Sequence, residues 1–517
     1  MNSHPRSTRP CIALLVLGCM AACAQDDRIC TAYLEIRLAR AGILDEADAA
    51  RVVVEKGLNA VEELLDQEID LFGVQGTELA LTDDGTWPEI ETGDGFRISL
   101  IAFDSISGDV KAFGRSASFG CLASGELSVP LYIGPAHGFA GLESEIENRS
   151  GASTTGLDEG RVLVFGGRDA LGHPVHPSAL IYDHASGSLL EVENAPAART
   201  GHSATRLADG SVLIIGGMEV GAGLATELLR FDPTRAVFDP VADISLARTG
   251  HAAVLLDHPG YGSSLEGKVL VIGGRDETAS VLSSLVLVDL QTGSSTHFAD
   301  LSAPRGDASA TLLRSGELLV AGGNDADSTP LAIADLIDLD EGKSLAVNFC
   351  EGSDQPLCAA RAGHAAVLLD DDNVLLWGGS MLQGELGPTA EVFCVSTMRS
   401  TPAGPEDVEP VRREGHTATR VGCRTPPCPI LIAGGLDAGG SSMAPALFYP
   451  GLEPGQEGGS IQTFIRHSAE FERSGHAAAS LPDGTVLLVG GAGPAIAPAA
   501  IYSSCEYDDG PMTCPQP

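Results

Sequence analysis

The chain has 517 residues, 44% of them apolar, with 70 Asp and Glu against 31 Lys and Arg and a formal charge of −39. A chain this apolar is not wholly disordered, and its length suits two to four domains at roughly 100–200 residues each. No basic stripe offsets the acid, which excludes a nucleic-acid binder, because phosphate contacts need clustered Lys and Arg.

Residues 1–22 read as an export signal. Arg6 and Arg9 stand ahead of any acid, and residues 11–20 form an apolar run too short to span a bilayer. Met20-Ala21-Ala22-Cys23 resembles the bacterial lipobox, in which small residues precede a Cys that becomes lipidated. Cys19 is the alternative lipid site, and Ala22-Cys23-Ala24 also fits ordinary secretory cleavage. Cleavage before Cys23 removes two Arg and no acid, for a mature charge of 29 − 70 = −41. The expectation is an outer-membrane or cell-surface lipoprotein, with a secreted or periplasmic protein as the alternative. No later stretch reaches the roughly 18 apolar residues of a membrane helix, so the lipid would be the only membrane contact.

Export makes the cysteines legible as disulfides. Local pairing predicts Cys350–Cys358, Cys423–Cys428 and Cys505–Cys514, with Cys30 and Cys121 bracketing the N-terminal domain. Cys394 is left over, and its apolar neighbours predict a buried, inert thiol.

Residues 24–135 form a separate unit. Segments 33–38, 96–103 and 127–133 alternate apolar with polar residues, as half-buried strands do, and predict a small β-sandwich. Residues 45–66 would also suit a helix. Gly134-Pro135 marks the hinge to the second domain.

From residue 136 to 503 the chain repeats. Seven apolar runs end in paired glycines at 166–167, 216–217, 273–274, 322–323, 378–379, 434–435 and 490–491, with steps of 50, 57, 49, 56, 56 and 56 residues. Ahead of each pair stands Arg-x-x-His or a variant: Arg199/His202, Arg248/His251, Arg361/His364, Arg413/His416 and Arg473/His476, with Arg149/Ala152 and Arg305/Ala308 lacking the His. The fourth motif position lies 14 residues before the first glycine in five units, a spacing that fits a hairpin. Insertions in the first hairpin, at 258–268 and 423–428, lengthen the other two. An apolar residue and a turn former, such as Tyr182-Asp183 or Phe231-Asp232, then end a third strand, and a fourth fits around residues 188–192. Four antiparallel strands in each of seven units predict a seven-bladed β-propeller. The last unit runs short after Tyr502. The ring is therefore expected to close with a strand from residues 139–143, or with the tail, 504–517, folded back by Cys505–Cys514.

Arg-x-Gly-His, the apolar run, Gly-Gly and the aromatic-Asp exit resemble the Kelch repeat over about residues 140–503. The resemblance implies a Kelch-type propeller. The chain departs from the pattern in lacking a fourth-strand Trp, where Phe238 and Phe298 stand instead.

Several residue sets could carry chemistry on this frame. Seven aligned arginines, Arg149, Arg199, Arg248, Arg305, Arg361, Arg413 and Arg473, could ring a channel mouth and bind an anion, or each could bond carbonyls and a carboxylate between neighbouring blades. The five histidines sit on separate blades, too far apart to share one metal ion. Asp169, Asp276, Asp325 and Asp437 follow glycine pairs and read as turn residues. No metal or cofactor is expected. The function expected is binding or scaffolding by a monomer whose partner is an envelope polysaccharide or protein, through rim loops such as the two insertions. The alternative is a propeller enzyme acting on carbohydrate, similar to galactose oxidase or sialic acid mutarotase, although no Cys-bearing copper motif of the former is matched here.

Overall fold

A computed structural model shows an all-β chain. It describes residues 12–16, 29–38, 44, 47–56, 62–70, 90–91, 93–107, 109–117, 119–121, 126–136, 138–142 and 147–503. Within the last span it omits 220, 259–264, 346, 348–349, 351–355, 370–372, 382–387, 404–411, 423–427, 450–459, 464–470 and 494–496.

Nine N-terminal strands form one sheet: Ile12–Val16, Ile29–Leu38, Ala49–Lys56, Glu62–Asp70, Ile90–Glu91, Gly93–Phe103, Val110–Arg115, Phe119–Cys121 and Glu126–Pro135. Ile29–Leu38 lies parallel to Glu126–Pro135, with Thr31 opposite Glu126, a pairing that only a long crossover can make. The predicted two-sheet sandwich is corrected to this single mixed sheet. Alternation betrays a half-buried strand but not its neighbours, and residues Ile98 to Phe103 are buried at every position, so both faces of the central strand are covered. The described residues within 45–66 contribute strand rather than helix. Ala49–Lys56 pairs antiparallel with Glu62–Asp70, the β-branched Val52-Val53-Val54 outweighing the alanines.

Downstream, the described residues form seven four-stranded antiparallel sheets, numbered in chain order: 150–191, 203–245, 252–300, 309–345, 365–403, 414–463 and 477–503. A short ribbon of Arg199–Thr200, Met218–Glu219 and Gly223–Leu224 lies beside sheet 2. In sheets 1 to 6 the strands pair in chain order. Sheet 7 has only three strands of its own, and Gly138–Gly141 supplies the fourth, Gly138 facing Ser503 and Gly141 facing Ala500.

The second strands are apolar throughout because sheets press on both of their faces. Val212, Leu213, Ile214 and Ile215 are all fully buried. Ile214 and Phe231 of sheet 2 pack on Phe165 and Ile181 of sheet 1, and Leu213 and Ile215 pack on Val269 and Val271 of sheet 3. Val162, Val164 and Tyr182 of sheet 1 join Leu487, Val489 and Ile501 of sheet 7. Phe238, in the fourth strand, caps the first of these seams with its ring centroid 5.2 Å from that of Phe165.

The glycine pairs stitch the seams. At six seams the second glycine donates its N–H to the carbonyl of the next unit's motif arginine: Gly217 to Arg248 (2.9 Å), Gly274 to Arg305 (3.0 Å), Gly323 to Arg361 (2.9 Å), Gly379 to Arg413 (2.8 Å), Gly435 to Arg473 (2.7 Å) and Gly491 to Arg149 (2.7 Å). The first glycine must be small for the same reason. Gly216 has φ +58°, and a Cβ there would stand 2.1 Å from the Arg248 carbonyl oxygen. Gly363 has almost the same φ, +59°, but open space where its Cβ would be. Gly363→Ala should therefore cost only the left-handed strain of about 1–2 kcal/mol. Gly216→Ala should cost about 1–3 kcal/mol more from the forced seam. Urea unfolding of the two variants checks the ordering, and equal losses would contradict the seam contact.

Candidate functional site

The seven motif arginines are buried, none more than 4% exposed. They face the seams, so the channel-mouth anion ring suggested by their alignment has no solvent-facing guanidinium. Arg248 Nη1 donates to the Gly273 carbonyl at 2.9 Å, Arg361 Nη1 to Gly378 at 2.9 Å and Arg473 Nη1 to Gly490 at 3.1 Å, each the first glycine of its own unit. Arg199 donates to the Glu227 carbonyl at 3.1 Å, and Arg413 to that of Ala444. Three have carboxylate partners: Arg199 with Glu219 (3.0 Å), Arg361 with the buried Glu391 (2.7 Å), and Arg305 with the buried Asp335. Arg149 differs in that, among the described residues, none of its guanidinium nitrogens has a hydrogen-bond partner. Burial brings Arg149, Arg248, Arg413 and Arg473 down to about 10, which leaves them charged at neutral pH.

The histidines cross the same seams. His202 Nε2 meets Ser153 Oγ at 2.8 Å, His251 meets Ser203 at 2.9 Å, His364 meets Ser309 at 2.8 Å, and His476 meets Thr417 at 2.8 Å. Each hydroxyl belongs to the residue after the fourth motif position of the preceding unit. The two units without His, at Ala152 and Ala308, follow units that place Ala477 and Ala252 there, so neither member of the pair is left alone. His416 follows Ala365 and bonds the Trp377 carbonyl instead, at 3.0 Å. Burial first, then the neighbouring arginine, lowers His202 and His416 to about 4 and His251 and His364 to about 3. These rings are neutral hydrogen-bonding pegs. Among the described residues, no three His, Cys, Asp or Glu are grouped to hold a metal.

A different set of residues surrounds the approach of the seven units to one another. The third motif residues, Gly151, Gly201, Gly250, Asp307, Gly363, Gly415 and Gly475, all have positive φ. Their backbones touch in succession: Gly250 donates to Gly201 (3.0 Å), Asp307 to Gly250 (2.8 Å), Gly363 to Asp307 (3.0 Å), Gly475 to Gly415 (2.7 Å) and Gly151 to Gly475 (2.9 Å). Beside this array opens a hollow of about 450 Å³, lined by the polar Asn324, Ser328, Thr329, Ser380, Arg412 and Glu414 and the apolar Pro330 and Met381. Arg412 Nε donates to Glu414 Oε1 at 2.7 Å, while Asn324 Oδ1 is buried with no donor among the described residues. The lining is rich in hydroxyl, amide and charged groups, suited to a ligand that both donates and accepts hydrogen bonds.

Sequence reasoning missed this hollow. Asn324 and Ser380 follow a glycine pair, Arg412 precedes the motif arginine and Glu414 fills the second motif position, places where the units differ, whereas aligning repeats draws the eye to what recurs. The four aspartates are turn residues, as their spacing suggests. Asp276 Oδ1, for example, accepts the N–H groups of Thr278 (2.8 Å) and Ser280 (3.0 Å).

The Cys350–Cys358 disulfide is formed, and Cys428 is disulfide-bonded. Cys19, Cys23, Cys423, Cys505 and Cys514 lie outside the described residues, as does most of each insertion, and for Cys30 and Cys121 only the strand positions are described. Cys394 is corrected from buried to half-buried. It occupies the last residue of its strand, where Sγ reaches Ser396 Oγ at 3.2 Å. No protein-family model matches the chain, and no curated protein matches it significantly.

The neutral histidines set an acid limit. Unfolded, they would titrate near the ordinary 6.5, so below that pH the unfolded chain binds more protons and stability falls down to pH 3–4. Each contributes about 1.4 kcal/mol per pH unit to that slope. Urea midpoints between pH 7 and 4.5 should therefore fall less steeply for His364→Gln than for the parent chain, and parallel profiles would contradict the neutral seam.

Proposed function

We propose that this chain is an exported, lipid-anchored Kelch-type propeller of seven blades that serves as a binding module for a hydroxyl-rich envelope polysaccharide. The observation that carries the binding reading is the 450 Å³ hollow with its dense mixture of donors and acceptors. It is of the size that holds a small ligand or one segment of a larger one. The propeller reading is supported by seven sheets whose seams repeat one hydrogen-bond scheme. Ring closure is supported by Gly491 bonding Arg149, by Thr154 Oγ1 donating to the Ala478 carbonyl at 2.8 Å, and by the upstream strand Gly138–Gly141 completing sheet 7. The export reading is compatible with the position of Ile12–Val16 as an edge strand, whose removal with residues 1–22 takes no interior strand from the N-terminal sheet.

The test is to bind the mature chain, made under oxidising conditions, to an array of glycans and bacterial polysaccharides at two salt concentrations. Binding is expected to survive added salt in large part, since most of the lining is uncharged, and to be lost in Asn324→Ala with folding intact. Silence across the array would overturn the polysaccharide reading and direct the search to crosslinked envelope proteins.

A further inference from the structure

The N-terminal sheet has two edges, and their compositions differ. Its strand order runs from Ile12–Val16 through Ile29–Leu38, Glu126–Pro135, Val110–Arg115, Gly93–Phe103 and Ala49–Lys56 to Glu62–Asp70. Glu62, Glu63, Asp66, Glu68 and Asp70 make the last of these an acidic edge, and charge of this kind deters a further strand. The opposite edge has no such guard. Ile12–Val16, with the sequence Ile-Ala-Leu-Leu-Val, carries no charge and pairs antiparallel with the next strand, Ile12 facing Arg37 and Val16 facing Tyr33.

Those residues lie within the segment 1–22 that the export reading removes. Once they leave, Ile29–Leu38 becomes the edge, paired with Glu126–Pro135 and, at Ile29 and Cys30, with Ile90–Glu91. Alternate residues from Tyr33 to Arg37 then present backbone N–H and C=O groups with no partner among the described residues. The strand is ten residues long, contains no proline, and has Glu35 and Arg37 as its only charged residues. A long edge with so little charge is a template for strand addition.

We propose that export opens this edge, and that the mature chain binds there an extended apolar segment of another envelope protein, added antiparallel along Tyr33–Arg37. The proposal rests on the removal of residues 1–22. The chemistry of the occupant follows from what the edge accepts here, an uncharged strand of aliphatic residues. A second copy of the chain is a poor match, since each mature copy carries a charge of 29 − 70 = −41 and repels the other. Ile29 is six residues from Cys23, so a lipid on Cys23 holds the start of the edge within about 22 Å of the lipidated residue, close to the membrane.

The probe is a fluorescent peptide with the sequence of residues 12–16 between uncharged Gly-Ser flanks, titrated by anisotropy into the exported chain with its disulfides formed. Saturable binding is expected, and at least tenfold weaker binding to the uncleaved chain, whose own residues 12–16 hold the edge. Two further peptides place proline at the position of Leu14 or of Leu15. Only one of these residues points its N–H at the edge, so the losses should be unequal, the larger roughly tenfold or more. Hydrogen exchange at alternate residues of Tyr33–Arg37 should slow when the peptide binds, with Ile98–Phe103 protected throughout. No saturable binding, equal affinity for all three peptides, or edge amides already protected without peptide would overturn the proposal. Loss of protection at Ile98–Phe103 in the processed chain would do so too, by making residues 12–16 a necessary part of the sheet. The mass of the exported chain reads processing separately: retention of residues 12–16 would overturn the export reading and with it the opening of the edge, whereas a processed chain that refuses the peptide overturns the proposal alone.

Discussion

A buried guanidinium must be given acceptors, because losing water without replacement is among the costliest events in folding. The repeat solves this with its own glycine pair. In units such as those of Arg248, Arg361 and Arg473, the side chain takes the carbonyl of the first glycine in its own sheet. The backbone carbonyl of the same arginine takes the N–H of the second glycine in the sheet before. The motif and the pair are thus the two halves of one joint, which is why they recur together at a fixed spacing and why neither could vary alone. Histidine and hydroxyl add a second joint across four of the seams; both are absent at Ala252 and Ala308 and at Ala477 and Ala152, and at Ala365 the missing hydroxyl is replaced by the Trp377 carbonyl as the partner of His416.

This joint has a consequence for the surface. Seven of the 31 cationic residues are spent inside seams, whereas among the described residues only a few acids, notably Asp335, Glu391 and Asp483, are buried with them. The exterior is correspondingly more acidic than the composition alone indicates.

The four-stranded pattern was legible because a strand buried on both faces, a turn and a glycine pair each leave a local mark, repeated seven times. The strand from 138–141 was legible by counting, since sheet 7 lacked its fourth member. The N-terminal sheet was less so. Its nine strands include the parallel pair Ile29–Leu38 and Glu126–Pro135, whose partners are nearly a hundred residues apart and share no local signal. The site was least legible of all. The hollow at Asn324, Ser380 and Glu414 is assembled from three different units, so only the folded arrangement brings its members together.

The hollow depends on the seams that hold neighbouring sheets together, and the proposed closure of the seven sheets into a ring stands or falls at the joint between the last sheet and the first. Native-state hydrogen exchange of the amides in Gly138–Gly141 and of Gly151 and Gly491 reads it directly. Protection comparable to that of Val486–Val489 in the interior of the same sheet is expected. Exchange at the rate of an exposed loop, with Val486–Val489 still protected, would contradict it.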